Sequence, residues 1–260
     1  MSRPIKILLA ACLPAIALCP SWAAAGVTQK GGVRIAVEGS LAPQRLPRHG
    51  RAPISVRVSG RIGSATASKP PQLRTLEIGI NREGRLSSYG IPVCRLGRID
   101  PSTTREAMAA CGSSLVGEGH FSASVRLPEQ SPFPSEGKIL AFNGRVRGQP
   151  AIFAHIYGTK PVPTSYVLPF LIEPAKGTFG TVLKASLPSV TGEWGFVTGI
   201  AIGLHRNFTF NGKRRSFLSA GCPAPSGFSA IPFPLIRTTF GFDGGLRLTD
   251  SLTRTCKAIG

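Results

Sequence analysis

Phe208-Thr209-Phe210-Asn211-Gly212-Lys213-Arg214-Arg215-Ser216-Phe217-Leu218 is the stretch that decides the fold class. Apolar and polar side chains alternate on both sides of Asn211-Gly212, a dipeptide suited to the positive φ that a type I′ turn needs at both central positions. The stretch therefore reads as an antiparallel hairpin whose turn carries Lys213, Arg214 and Arg215 between Phe208, Phe210 and Phe217. Working outward, the same period of two recurs in Val33-Arg34-Ile35-Ala36-Val37, in Ile54-Ser55-Val56-Arg57-Val58 and in Leu76-Glu77-Ile78-Gly79-Ile80, the last running into a turn at Asn81-Arg82-Glu83-Gly84. Residues 121–127, 138–142, 151–157, 166–172, 179–187 and 198–204 are further strand candidates. A second hairpin is expected from 236–242 round Asp243-Gly244-Gly245 to 246–255. Many short strands separated by Gly, Pro, Asn and Asp predict an all-β protein, an antiparallel β-sandwich with Phe153, Phe170, Phe179 and Phe240 in its core.

One segment reads as helix. Asp100-Pro101 offers an opening, Thr103 and Glu106 have capping-box spacing, Ala107-Met108-Ala109-Ala110-Cys111 follows, and Gly112 stops it. Residues 128–137, with Pro128, Pro132 and Pro134, read as a loop, and the chain would divide there if it formed two sheets instead of a single domain over 26–260.

The first 25 residues read as an export signal: Arg3 and Lys6, an apolar run over 7–18, then Ala23-Ala24-Ala25 before Gly26. The mature chain is thus expected to begin near Gly26 and to be secreted or held at the cell surface. The run is too short, and too broken by Pro14 and Pro20, for a permanent span, which wants about 20 apolar residues. Leu9-Ala10-Ala11-Cys12 supports a competing reading as a lipoprotein box with Cys12 as the lipidated residue, although the apolar run before it is short for that role.

Loss of the signal leaves 29 basic residues against 12 acidic ones, an excess of 17, because only Arg3 and Lys6 of the 31 Lys and Arg precede Gly26. A field of this sign favours polyanions, and outside a cell these are anionic wall polymers, acidic polysaccharides, phospholipid head groups or released nucleic acid. Solubility alone also explains it. Lys213, Arg214 and Arg215, with Arg45, Arg48 and Arg51 of a second basic loop, are the candidate anion-binding residues, because guanidinium forks grip carboxylates and phosphates bidentately. Charged turns equally keep sheet edges apart. No helix-turn-helix, oligonucleotide-binding or RNA-recognition signature accompanies the charge, so no specific nucleic acid is expected.

Cys12 and Cys19 leave with the signal, and Cys94, Cys111, Cys222 and Cys256 remain. An even number in an exported chain implies two disulfides, and of the three pairings sequence proximity favours Cys94–Cys111 with Cys222–Cys256. A zinc site is the weaker alternative, since no CxxC or CxxH pair exists.

Catalytic signals are sparse. No GxSxG, HExxH, HxH or DxDxD spacing occurs, and His49, His120, His155 and His205 are far apart in sequence. Glu173 and Glu193, the latter beside Trp194, are the pair to inspect for glycoside hydrolysis, which needs two facing carboxylates. No catalytic residue, cofactor or metal is expected, and Asn207-Phe208-Thr209 is a chance glycosylation match.

Gly39–Pro47 (GSLAPQRLP) with Arg51-Ala52-Pro53, LRTLEIGINREGRL from Leu73, Ile91-Pro92-Val93-Cys94-Arg95, Leu115-Val116-Gly117-Glu118-Gly119, Phe142-Asn143-Gly144, SAGCPAPSGF from Ser219 and Arg254-Thr255-Cys256-Lys257 resemble a group of exported β-rich proteins of high-GC actinobacteria. The resemblance runs over nearly the whole mature chain, and the order of the cysteine-bearing segments is its most specific part. It implies an exported, β-rich, four-cysteine protein and assigns no activity, ligand or catalytic residue. The expected role is non-enzymatic binding of an anionic extracellular or cell-wall polymer, with a cell-surface protein-interaction module and a secreted glycan hydrolase as alternatives.

Overall fold

The computed structural model describes residues 26–66, 69–187 and 195–260. Its strands, in chain order, are β1 (Gly26–Lys30), β2 (Val33–Ala42), β3 (Arg45–Pro47), β4 (Ala52–Pro53), β5 (Ser55–Ser64), β6 (Leu73–Asn81), β7 (Gly84–Leu86), β8 (Leu115–Val125), β9 (Phe133–Val146), β10 (Gln149–Gly158), β11 (Thr164–Pro174), β12 (Phe179–Ser186), β13 (Gly195–Leu204), β14 (Asn207–Phe210), β15 (Lys213–Ser216), β16 (Leu218–Ala220), β17 (Ala230–Phe242) and β18 (Arg247–Ile259). Thirteen of them form one sheet in the order β1-β2-β5-β13-β8-β9-β10-β11-β12-β6-β17-β18-β3, antiparallel throughout except where β3 runs parallel to β18. So long a twisted sheet curls. Thr28 Oγ1 donates to Thr249 O at 3.5 Å and Arg254 Nε to Gly39 O at 2.9 Å, so β18 lies against β1 and β2 while its backbone pairs with β17 and β3. The two layers of the expected all-β fold are thus halves of a single sheet folded over its own concave face.

That face is apolar by strict alternation. Val33, Ile35, Val37 and Leu41 of β2, Ile152 and Ala154 of β10, and Leu248 and Leu252 of β18 all point inward and are buried. Where the halves touch, Phe240 lies over Gly60, and a Cβ there would stand 3.1 Å from the ring. The expected core aromatics Phe170, Phe179 and Phe240 are all buried; Phe170 and Phe240 belong to this inner core.

Phe153 belongs to a second core on the convex side. Leu140, Phe142, Ala151 and Phe153 of β9 and β10 pack there beneath Ile99, Ala107 and the Cys94–Cys111 disulfide. Strands covered on both faces need apolar side chains at every position, which is why Ile139-Leu140-Ala141-Phe142 does not alternate. The cover is the single helix α1 (Thr104–Cys111). It starts at Thr104 and not at Pro101, because Thr103 Oγ1 accepts from Glu106 N while the Glu106 carboxylate accepts from Thr103 N at 2.8 Å, closing the capping box there. The second disulfide joins Cys222, just after β16, to Cys256 of β18.

Two small sheets finish one end of the curled sheet. β4, β16 and β7 form a three-stranded floor, and β14 pairs with β15 through Asn211 (φ 49°) and Gly212 (φ 71°) as the turn sequence requires. β9 begins at Phe133, within the expected loop at 128–137, and pairs with β8 across the remaining turn, Val125 opposite Phe133.

Prolines inside the described strands obey one rule. Pro134, Pro150, Pro169, Pro174, Pro232 and Pro234 each stand where the strand has a ladder partner on one side only: β9 meets β10 only from Gly137, β11 meets β12 only from Leu171, and β17 meets β6 only from Ile236. A residue without an N–H can occupy a strand only where no donor is wanted on the second side.

Candidate functional site

The curled sheet encloses a chamber. Aliphatic side chains of nine strands line it, among them Val56 and Val58 of β5, Ile78 and Ile80 of β6, Ile152, Ala154 and Ile156 of β10, and Ile200 and Ile202 of β13. Its volume is about 100 Å³. On β6, β10 and β13 the lining positions each span about four residues, roughly 13 Å at the rise of a strand. The result is a slender apolar tunnel. Asn81 is the polar side chain on its wall and is spent internally, donating to Pro234 O at 2.8 Å and accepting from Glu83 N at 2.8 Å.

One end of the tunnel is closed by the floor, which contributes Leu218 and Ala220 of β16 and Gly84 of β7. At the other end Phe121 and Ile156 are shared with a wider vestibule of about 460 Å³, lined further by Ala123, Val125, Leu127, Val162, Tyr166, Phe196 and Val197. Val162 is 62 % exposed at this mouth, where the polar groups are Ser135, Glu136, Lys160 and Thr164. The arrangement can hold an apolar body and leave its polar end in water.

The cations singled out in the sequence gather at the closed end. Lys213, Arg214 and Arg215 are exposed on β15, and Arg215 lies 5.5 Å from the Tyr89 ring, which meets Phe210 edge-on at 5.1 Å. Phe210 and Tyr89 thereby fix the hairpin. Arg45 is exposed on β3. Arg48 is bound to backbone: Nη1 donates to Ala224 O and to Pro225 O (2.6 Å) and Nη2 to Phe228 O (3.1 Å), holding the loop that follows Cys222. Arg51 Nε donates to Glu83 O at 3.1 Å. The second basic loop therefore uses two of its three forks to pin the floor to its surroundings.

Four carboxylates are engaged with other cations. Glu38 pairs with Arg61, Glu118 with Lys138, Glu77 with Arg247 and Asp243 with Arg74. Among the described residues none of Arg45, Lys213, Arg214 or Arg215 stands in an ion pair, and the nearest carboxylate in the floor, Glu83, faces Arg82 at 3.6 Å. The Arg74 hydrogen bond holds the Asp243 carboxyl below the usual carboxylate range.

No catalytic constellation forms among the described residues. Glu173 is paired with Lys184 at 2.6 Å, which pushes the ammonium pKa up, and Glu193 and Trp194 lie outside the described residues. His49, His120 and His205 are exposed. His155 is fully buried on the convex face, its Nε2 2.9 Å from Ser102 O, 3.1 Å from Ser102 Oγ and 3.3 Å from Ser165 Oγ. Ser102 Oγ donates to Ile99 O at 2.8 Å, and His155 Nδ1 has no partner, so no carboxylate orients this Ser–His contact for nucleophilic attack. Its work is to fasten the segment before α1 to β10. Burial pushes the His155 pKa down. No group of three or more His, Cys, Asp or Glu side chains among the described residues could hold a metal.

No family model, curated protein or solved structure matches the chain. The two disulfides fit an oxidising compartment, and no described helix is long and apolar enough to cross a membrane. Sequence reading found the basic hairpin and missed the chamber. Inward alternation was visible in each strand, but nothing in that pattern separates a wall that meets its opposite from one that does not.

Proposed function

We propose that the chain is exported, starts near Gly26 when mature, and is a non-enzymatic binding protein that takes the aliphatic chain of an amphiphile into its tunnel. The observation that carries the reading is a slender apolar tunnel without an unsatisfied polar group, closed at one end by the floor and sharing the Phe121 and Ile156 side chains of its other end with an apolar vestibule. Burying a methylene is worth about 0.8 kcal/mol, so a short length of chain supplies useful affinity, and a tunnel this narrow selects a linear chain over a ring. The chain's polar end belongs at the mouth beside Lys160 and Thr164. Organic extraction of the purified mature protein followed by mass spectrometry, with titration by a fluorescent polyene fatty acid, tests this. Co-purified chains or saturable one-to-one binding support it; the absence of both refutes it.

A second reading rests on a separate observation, the exposed and unpaired cations of β15 and β3 at the closed end. They suit an anionic wall polymer or acidic polysaccharide. Sedimentation with intact bacterial cell walls should then occur at low salt and vanish at high salt or after removal of the anionic polymer. Salt-insensitive capture of a defined protein would favour an interaction module instead.

A further inference from the structure

Asp250 is anomalous in an otherwise well-satisfied strand. It shares the inward alternation of β18 with Leu248 and Leu252, its Oδ1 accepts from Ser251 N at 2.8 Å, and its Oδ2 is buried with no hydrogen-bond partner. A carboxylate oxygen in that position is destabilising unless a donor reaches it. The residue against it is Gly26, the first of β1: a methyl group built there would overlap Oδ2 and stand 2.7 Å from Cγ. Gly26 is also the residue that follows the small-residue cleavage pattern Ala23-Ala24-Ala25.

We propose that cleavage of the Ala25–Gly26 bond creates the missing donor, the α-ammonium group of Gly26, which pairs with Asp250 and fastens the edge strand β1 to β18. Water supplies the balance: its hydroxyl goes to the Ala25 carbonyl, which leaves as a carboxylate, and Gly26 N, with one hydrogen as an amide, becomes an ammonium with three. The inference rests on the export reading and is independent of the ligand. It accounts for a glycine at this position, since a side chain there would displace the carboxylate from the site of the new ammonium. It also places an ion pair at the seam of the curled sheet, where β1 and β18 share the Thr28–Thr249 contact but no backbone ladder.

The test compares protein that begins at Gly26 with protein carrying two extra residues before it, each with and without Asp250→Asn. The secreted protein should have Gly26 at its N-terminus, and ¹⁵N NMR of its α-amino group should show titration above the ordinary range of about 7.7–8.0. Asp250→Asn should lower the Tm of the Gly26-first form by about 3 °C or more, and leave the extended form unchanged or raise its Tm. A different N-terminal residue on the secreted protein overturns the proposal. So does an equal effect of Asp250→Asn on both forms together with an α-amino group that titrates in the ordinary range.

Discussion

Replacing Ala154 with leucine should stabilise the protein and, on the proposed reading, weaken its hold on an aliphatic chain. Ala154 is 3 % exposed, and its methyl group lies on the tunnel wall of β10 between Ile152 and Ile156. An unfilled cavity destabilises a fold by about 24 cal/mol per Å³, so a tunnel of about 100 Å³ costs about 2 kcal/mol while empty. Leucine adds three carbons, worth about 0.8 kcal/mol each when buried, which recovers a similar amount. For a chain of this size about 2 kcal/mol corresponds to a rise in Tm of roughly 4–8 °C. The same atoms occupy the space of the proposed guest, so any fatty-acid affinity should fall at least tenfold. Ala141 is the control: it is fully buried on the inner face of β9 but is not on the tunnel wall, so leucine there overpacks a filled core and should cost about 1–3 kcal/mol. Calorimetry on delipidated protein and a probe titration read both effects. A lowered Tm for Ala154→Leu, equal to that of Ala141→Leu, with fatty-acid binding unchanged, would refute the tunnel.

Three further outcomes follow from the geometry. Charge reversal of Lys213, Arg214 and Arg215 together should abolish salt-sensitive pelleting with cell walls while costing no more than about 1 kcal/mol of stability, the worth of the exposed Arg215–Tyr89 contact; undiminished pelleting would remove the basic hairpin from that role. Replacing both Cys94 and Cys111 by alanine opens a loop of separation 17, for which chain entropy gives about 3 kcal/mol, and the Cys222–Cys256 pair, separation 34, about 4 kcal/mol; guanidinium titrations showing no loss would sink this estimate. His155 is kept neutral by burial, with its pKa below the ordinary 6.5. The unfolded chain therefore binds a proton that the fold resists, so this contribution to stability is complete above about pH 6.5 and is lost as the pH falls from there through the folded-state value. His155→Gln should flatten the stability profile in that acid window, and identical profiles would show that another group governs it.

Much of the fold was legible because it is written in local patterns. The period of two in β2, β5 and β6, the Asn211-Gly212 turn and the Thr103–Glu106 box each specify their element within a few residues. The disulfides followed from proximity along the chain. What could not be read was long-range: that β12 pairs with β6 and β13 with both β5 and β8, which makes one curled sheet out of what local patterns present as two layers. The candidate site divides the same way. Cations on a turn are visible as letters, whereas the tunnel depends on the distance between walls contributed by strands more than a hundred residues apart, such as β5 and β12. Arg48 shows the limit from the other side, since its charge was plain in the sequence but its three carbonyl partners at 224, 225 and 228 were not.

The strand prolines have a consequence beyond the ladders they interrupt. Where β9 and β11 run past their neighbours, each leaves a short row of backbone groups without a ladder partner, the kind of edge on which a strand from another molecule nucleates a fibril. Pro134 and Pro169 each delete a donor from such a row, so a recruited strand finds an incomplete template. The protection against self-association is thus built into the covalent chain and needs no helper protein.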